Sequence, residues 1–302
     1  MEEMTTGLCP KCGHTLQIPA ELERFSCMYC GERLTKRQLL TQPEEASCSE
    51  EDCAVSFDHA VSRLGWCVQN FRGYQKKILR DAFFEAFETY ETGCAPVIQE
   101  LNSGVRPERQ TELLDRAAEA MLDELSAGWE KKNDMEDEKV ILAIFFVPMV
   151  RKLQLPVSEE FVSLLQKKWV ERYPKSPFYL GDYESISGGF RKKFLGLCFI
   201  TTAVCQELGK PDDCAELTAF RAFRDGYLAA QPDGEALIRE YYNIAPGIVT
   251  CINTCSDRHA SYERIREQYL TPCYEDLLAG RNADCKTRYV QMVHDLEREY
   301  LN

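Results

Sequence analysis

Four cysteines near the start of the chain have the spacing of a metal site. They form two C-x-x-C pairs, Cys9 with Cys12 and Cys27 with Cys30. The fourteen residues between the pairs are close to the spacing of zinc sites built from two such pairs. Four thiolates complete a tetrahedral shell and leave no position for water. The sequence therefore predicts one structural Zn²⁺ rather than a catalytic one.

The segment around these cysteines has further features of a small metal-binding module. Gly13 and Gly31 follow the two pairs, where a tight turn requires a residue without a side chain. Thr15 to Ile18 and Arg24 to Ser26 are predicted to be extended, as in a hairpin between the pairs. Residues 8–34 resemble the zinc-ribbon family, which implies metal binding but no single function, because ribbons serve as nucleic-acid, protein and structural modules.

Composition narrows the classes of partner and location. The chain has 302 residues with 36 basic and 49 acidic side chains, a net charge of −13, which argues against nucleic acid or an anionic membrane as a partner. Residues 1–40 balance five basic against five acidic side chains, so the ribbon favours a protein partner. No apolar run is long enough to span a membrane, and the acidic start MEEMTTG lacks a secretory signal. We expect a cytoplasmic protein.

Helical periodicity dominates the rest of the chain and predicts a mainly α fold with a small N-terminal β zinc ribbon and a multi-helix body. Gly65 and Gly73 are weak points in the first helical segment, Pro107 suits a helix start, and Pro148 predicts a kink. Pro and Gly mark a boundary within 174–189. The predicted divisions are a ribbon at 1–40, an acidic linker at 41–55, a helical domain at 56–173 and a C-terminal helical domain at 174–302.

A second group of residues that can do chemistry lies in the C-terminal region. Residues 196–206 read GLCFITTAVCQ, and an R-x-F-R-D sequence and a tyrosine pair follow. This pattern resembles the bacterial CFI-box C-terminal domain family over about 60 residues. The resemblance rests on Cys198, Phe199, Ile200, Thr202, Ala203, Arg221, Phe223, Arg224, Asp225, Tyr241, Tyr242 and Pro246. It departs from the family at 204–206, where Val-Cys-Gln replaces small residues and Tyr-Gly-Ser, and it implies kinship but no particular reaction.

The cysteines of this region allow a thiol site or simple packing. If Phe190 to Leu208 is one helix, then Cys198, Thr202 and Cys205 share a face, and a turn at 209–211 returns Cys214 to Cys205. Three clustered thiols would suit a nucleophile, a redox sensor or a soft metal. The alternative is that they are small apolar residues at close helix contacts, which we favour because no histidine lies in the box to act as a base.

The charged and phenolic residues of the box also have two interpretations. Arg221, Arg224 and Asp225 lie at i, i+3 and i+4, where a structural ion pair is favoured over an anion or carboxylate ligand. Tyr241 and Tyr242 precede a bend expected at Pro246.

Three functional hypotheses follow, and the sequence does not decide whether the protein is an enzyme. The first is an adaptor or scaffold that binds another protein, since the predicted metal site is closed and no acid, base and nucleophile converge in the sequence. The second is a thiol-dependent enzyme or redox sensor centred on Cys198 and Cys205. The third is a receptor for a small ligand that uses Arg221, Arg224 and the two tyrosines.

Overall fold

The computed structural model describes residues 4–11, 15–36, 50–131, 133–191 and 198–302. The chain divides into two compact units, Met1–Ala54 and Val55–Asn302. The fold is mainly α, with a small β part near the N-terminus, as the sequence predicts.

The N-terminal unit contains two short antiparallel hairpins. Strand β1 (Met4–Leu8) pairs with β2 (Thr15–Pro19), and β3 (Arg24–Ser26) pairs with β4 (Arg33–Thr35). The prediction that β2 and β3 form one hairpin between the cysteine pairs is wrong. Cys9 instead follows the first strand of one hairpin, and Cys27 and Cys30 lie between the strands of the other, because the chain reverses at these points.

The second unit is built from helices that share one core. In the part of the chain that the structure describes, eleven helices have eight residues or more. They are α1 (Glu50–Leu64), α2 (Phe83–Gly104), α3 (Gln110–Ala127), α4 (134–153), α5 (Ser158–Arg172), α6 (Tyr183–Arg191), α7 (Phe199–Glu207), α8 (215–228), α9 (Gly234–Cys255), α10 (258–278) and α11 (Asn282–Tyr300). None of these described helices combines the length and the apolar character that crossing a membrane requires.

Helix α4 is buried on all sides through its apolar stretch. Residues 141–150 are all buried, and Phe145 packs against the rings of Phe83, Phe87 and Tyr90 from α2. The stretch at 142–146 has π-helical hydrogen bonding, and Pro148 follows it. Proline has no N–H to donate within the helix, and a widened turn tolerates the missing hydrogen bond. The irregularity expected at Pro148 is therefore observed as a π-helical turn.

Two charged residues at the start of α4 are buried and have partners. Glu138 accepts hydrogen bonds from Arg72 Nε at 2.8 Å and from Trp129 Nε1 at 2.8 Å. Lys139 donates to Ser176 Oγ at 2.7 Å and forms an ion pair with Glu136. Burial raises the pKa of Glu138, and the bonds from Trp129 and Arg72 oppose that shift. These paired charges fix the position of α4 along its axis.

Several boundaries differ from those expected from the sequence. The first helix begins at Glu50, inside the predicted acidic linker, where its acidic first turn suits the positive end of a helix dipole. Residues 41–49 lie outside the described part. The segment 174–189 contains buried Phe178 and the start of α6, and residues on both sides of it belong to one core. We therefore describe Val55–Asn302 as one compact unit.

A glycine lets α9 approach the segment before α2 closely. A Cβ atom added at Gly247 would lie 1.9 Å from the carbonyl oxygen of Ile78. Asn243, one turn earlier in α9, accepts a hydrogen bond from Arg80 N at 3.0 Å through its backbone oxygen. Helix α9 and this segment are thus joined by direct backbone contact, which any larger residue at 247 would separate.

We predict that Gly247→Ala lowers the free energy of unfolding by about 1–3 kcal/mol, because the backbone must move to admit the methyl group. The matched control is Gly188→Ala in α6, where an added Cβ meets nothing within 4 Å and stability should hold or rise slightly. Urea denaturation followed by circular dichroism measures both. Equal stability of the two variants would contradict the close approach.

Candidate functional site

Three thiols of the N-terminal unit form a group that can hold a metal ion. The Sγ atoms of Cys9, Cys27 and Cys30 all lie within 4.8 Å of one another. Cys9 follows β1, while Cys27 and Cys30 lie in the turn between β3 and β4. The predicted fourth ligand, Cys12, lies outside the described residues. This is the one such group of cysteine, histidine or acidic side chains in the described ranges.

The turn that carries Cys27 and Cys30 has the geometry that the sequence predicts. Gly31 adopts a φ of +72°, in the left-handed region that favours glycine, and its N–H bonds to the carbonyl oxygen of Cys27 at 2.9 Å. Cys27 N bonds in turn to the Glu32 oxygen at 2.8 Å. Leu16 and Ile18 of β2 pack with Leu34 of β4 against the buried Cys9 and Cys27. The cysteines and a very small apolar core therefore hold this unit together.

Loss of one thiol should remove a bound metal ion from the N-terminal unit. We predict that Cys27→Ser reduces metal content to near zero, whereas the control Cys214→Ser, in the helical unit, keeps it. Acidification should release the ion from the wild type, because protons compete for the thiolates. Elemental analysis of anaerobically purified protein measures the ratio. A metal-free wild type would contradict the site.

Four candidate residues from three segments of the chain converge in the helical unit. Arg224 of α8 donates from Nη1 to Tyr242 Oη at 3.1 Å and lies 3.5 Å from Cys198 Sγ. Its Nε and Nη2 bond to the two carboxylate oxygens of Asp225 at 2.7 and 2.8 Å. Arg224 is 8% exposed, so its charge lies largely inside the protein and is balanced by Asp225.

An irregular stretch of α8 carries Arg224. Residues 223–228 are π-helical, and Gly226 lies within them. Such turns insert an extra residue into a helix and frequently occur at functional sites. Tyr241, next to Tyr242 in α9, accepts a hydrogen bond from Ile200 N at 3.0 Å, near the start of α7. Tyr241 and Tyr242 thereby connect α7 to Arg224 of α8.

Cys198 is placed as a buried thiol and not as an activated one. It precedes α7 with φ −100° and ψ 83°, so the prediction of one continuous helix from Phe190 to Leu208 is wrong at this residue. Burial raises the pKa of the Cys198 thiol, although the charges of Arg224 and Arg221 favour the thiolate. The thiol is 3% exposed. This environment agrees with packing.

The other two candidate cysteines, Cys205 and Cys214, contact each other. Cys205 of α7 and Cys214, before α8, have their sulfur atoms 3.7 Å apart, as the predicted turn requires. Burial, with the hydrogen bond between the thiols, raises the pKa of Cys205 to about 12. Cys198 does not join them in a three-thiol metal group within the described residues. The hypothesis of a single three-thiol cluster is therefore wrong.

The remaining candidates have structural surroundings. Arg221 forms an ion pair with Asp212 at 2.9 Å and also donates to its backbone oxygen at 2.8 Å, which confirms the favoured interpretation. Thr202 points its Oγ1 into a buried position where no described group bonds to it. The Thr202 backbone N–H donates to the carbonyl oxygen of Cys198 at 2.6 Å, which is an ordinary bond of the first turn of α7.

An apolar pocket lies beside Cys198 and Arg224. Its cavity volume is about 40 Å³, so it is narrow. It is lined by Cys198, Phe220, Phe223, Arg224, Leu228, Leu237, Ile238, Glu240, Tyr241, Tyr289, Val290, Val293 and His294. An apolar lining with a few convergent polar groups is the usual chemistry of small-ligand sites, although most such sites are larger than this one.

The sequence analysis missed the α11 wall of this pocket. Tyr289 and Val293 are one turn apart on α11, and Val290 and His294 repeat that spacing. The side chain of His294 is 42% exposed and lines the pocket 3.3 Å from Glu240. This stripe was readable in the sequence, but its pairing with walls on α8 and α9, about 50 to 75 residues earlier, was not.

Comparisons with protein-family models, curated proteins and solved structures found no match to this chain.

We predict that Cys198 behaves as a packing residue. Cys198→Ala should lower the free energy of unfolding by roughly 1–2 kcal/mol through a small cavity, and Cys198→Ser by as much or more, because its hydroxyl enters an apolar place. Native Cys198 should react with iodoacetamide more slowly than the half-buried Cys214, which serves as internal control. Mass spectrometry of labelled peptides measures both rates. Faster, selective labelling of Cys198 would contradict the packing role and favour a thiol function.

Proposed function

We propose that this protein is an adaptor whose N-terminal unit is a ribbon held by one structural zinc ion and binds another protein. The observation that carries the proposal is the density of exposed apolar side chains on this small unit. Nine large apolar side chains are exposed in the described parts of the chain, and four of them belong to the ribbon. They are Met4, Leu22, Met28 and Tyr29.

The donor set supports zinc as the ion. Thiolates bind zinc at about 2.3 Å, and a tetrahedron of that size has edges of about 3.8 Å. The Sγ atoms of Cys9 and Cys30 are 3.8 Å apart. Cys12 supplies the fourth thiolate in this proposal. A closed set of four sulfur ligands leaves the ion to stabilise the turns, and the adaptor role assigns it no reaction.

The position of two exposed side chains supports a protein partner. Met28 is 75% exposed and Tyr29 is 58% exposed, and both lie between the ligands Cys27 and Cys30. Met and Tyr are enriched in protein interfaces, where Met adapts its shape and Tyr combines an apolar ring with a hydroxyl. A turn fixed by metal ligands presents them without the loss of backbone entropy that a loose loop would suffer on binding.

Electrostatics favour a protein over nucleic acid. Five basic and five acidic side chains balance within residues 1–40, and the whole chain carries −13. One of the basic residues, Lys11, is paired with Glu32 at 2.6 Å. Binding to phosphates requires an excess of basic residues on the contact face. We further propose a reducing, cytoplasmic location, since thiolate ligation requires reduced cysteines.

The thiol hypothesis is the second candidate. The 3.7 Å separation of Cys205 and Cys214 favours a redox pair over a nucleophile, because Cys198 is remote from solvent and its thiol is held protonated by burial. Kinship with the CFI-box family is likewise a proposal. Its support is that Cys198, Arg224 and Tyr241, all taken from the resemblance, line one pocket, and that Tyr242 accepts a hydrogen bond from Arg224.

The adaptor proposal predicts that charged side chains in the turn between Cys27 and Cys30 weaken the binding of a protein partner. Tagged full-length protein should co-purify with a stoichiometric protein partner, and the double change Met28→Asp, Tyr29→Asp should reduce that partner at least tenfold, since buried carboxylates without partners are costly in an interface. Quantitative mass spectrometry measures the ratio, with metal content checked in each sample.

The control is Glu21→Ala, an exposed ribbon residue outside the turn, which should retain the partner. Equal capture by the charged variant would refute the contact. Submicromolar, salt-sensitive binding of the wild type to random duplex DNA would refute the choice of a protein partner.

A further inference from the structure

We propose that the pocket between α8, α9 and α11 binds a medium-length, unbranched alkyl carboxylate, with the carboxylate on Arg224 and the alkyl chain along the apolar walls. The proposal goes beyond the adaptor function and does not depend on it. It assigns a ligand to the α8–α11 pocket, and no part of that pocket belongs to the metal-binding unit.

The walls define the apolar part of the ligand. Phe220, Phe223 and Leu228 of α8 face Leu237 and Ile238 of α9, and Val290 and Val293 of α11 complete the lining. Leu237, Ile238 and Val290 are only partly buried, so the pocket opens past them. Filling it removes these side chains from water, which favours an apolar occupant. Its narrow width suits a linear chain rather than a ring system.

The inner end defines the polar part. Arg224 lines the pocket, and its guanidinium is held in place by Tyr242, Asp225 and the Cys198 sulfur. The pocket also contains the carboxylate of Glu240, which is 44% exposed and lies 3.3 Å from His294. A planar guanidinium matches a carboxylate through two parallel hydrogen bonds. Phosphate esters are a poorer match, because a dianion requires more than one positive group and Glu240 would repel it more strongly than a monoanion.

Asp225 explains how the site is kept stable when it is empty. Its carboxylate covers Nε and Nη2 of Arg224 but is itself 66% exposed. An exposed carboxylate loses little when it leaves an ion pair for water. A ligand carboxylate that arrives with an apolar chain gains the burial of that chain in addition. Asp225 therefore covers the guanidinium when the pocket is empty and can be displaced by a ligand carboxylate.

Isothermal titration calorimetry with octanoate and 1-octanol on the full-length, metal-loaded protein tests this proposal. Octanoate should bind with one site per chain. 1-Octanol has the same chain without the charge and should bind at least tenfold more weakly, which is the loss expected from one charge-assisted hydrogen bond.

Four variants test where the carboxylate and the alkyl chain of the ligand bind. Arg224→Gln should weaken octanoate binding at least tenfold, while Arg221→Gln, a matched change in the same helix outside the pocket, should leave it unchanged. Asp225→Asn removes the competing carboxylate and should tighten octanoate binding several-fold without changing 1-octanol binding. Leu237→Trp fills the pocket and should abolish binding of both.

Each outcome of these titrations either supports the ligand proposal or contradicts it. If Arg224→Gln fails to fold, as judged by circular dichroism, the opposite effects of Asp225→Asn and Leu237→Trp still decide the question. The proposal is overturned if wild-type protein gives no octanoate binding at millimolar concentration. Equal affinities for octanoate and 1-octanol would overturn the role of Arg224, and unchanged binding in Leu237→Trp would place any ligand elsewhere.

Discussion

Burial of helix α4 on every side is the constraint on which the helical unit depends. A helix that is apolar all round cannot face water, so other helices must cover it completely. Residues 141–150 achieve this, and α2 supplies the aromatic rings that pack on Phe145. The bonds of Glu138 and Lys139 stop the helix from sliding, because any displacement would leave a buried charge without its partner. Helices α2, α5, α6 and α9 pack directly against this fixed axis.

No residue of α4 lines the apolar pocket of the helical unit. The apolar pocket is formed by α8, α9 and α11, of which α9 reaches the centre through the contact of Gly247 with Ile78. Helix α9 is thus rigid where it meets the core, and its other face carries Tyr241 and Tyr242. A site built on a fixed helix can hold Arg224 at a constant distance from the tyrosine hydroxyl. The N-terminal unit has a separate and very small core of two cysteines and three large aliphatic residues, so a metal ion held by the thiols would add to its stability.

The features that depend on a few neighbouring residues could be predicted from the sequence. The ribbon cysteines, the helix start near Pro107 and the return of Cys214 to Cys205 all depend on a few neighbouring residues. The convergence of Cys198 with Arg224 depends on how three helices pack, and no short pattern encodes that. The β-branched residues after Cys198 weakened the helix prediction, but they did not show where the helix begins. Pairing of the ribbon strands was mistaken because either partner satisfies the same alternation of side chains.

The π-helical turn in α8 makes room for one more residue than a regular helix of the same span. A π turn holds one residue more than an α turn, and the segment 223–228 contains such a turn in the helix that carries Arg224. An extra residue in a regular α-helix would rotate one part of the helix by about 100° relative to the other, whereas the widened turn absorbs it locally. Arg224 therefore meets the phenol of Tyr242 from within the widened turn, while the parts of α8 on either side keep their own packing faces.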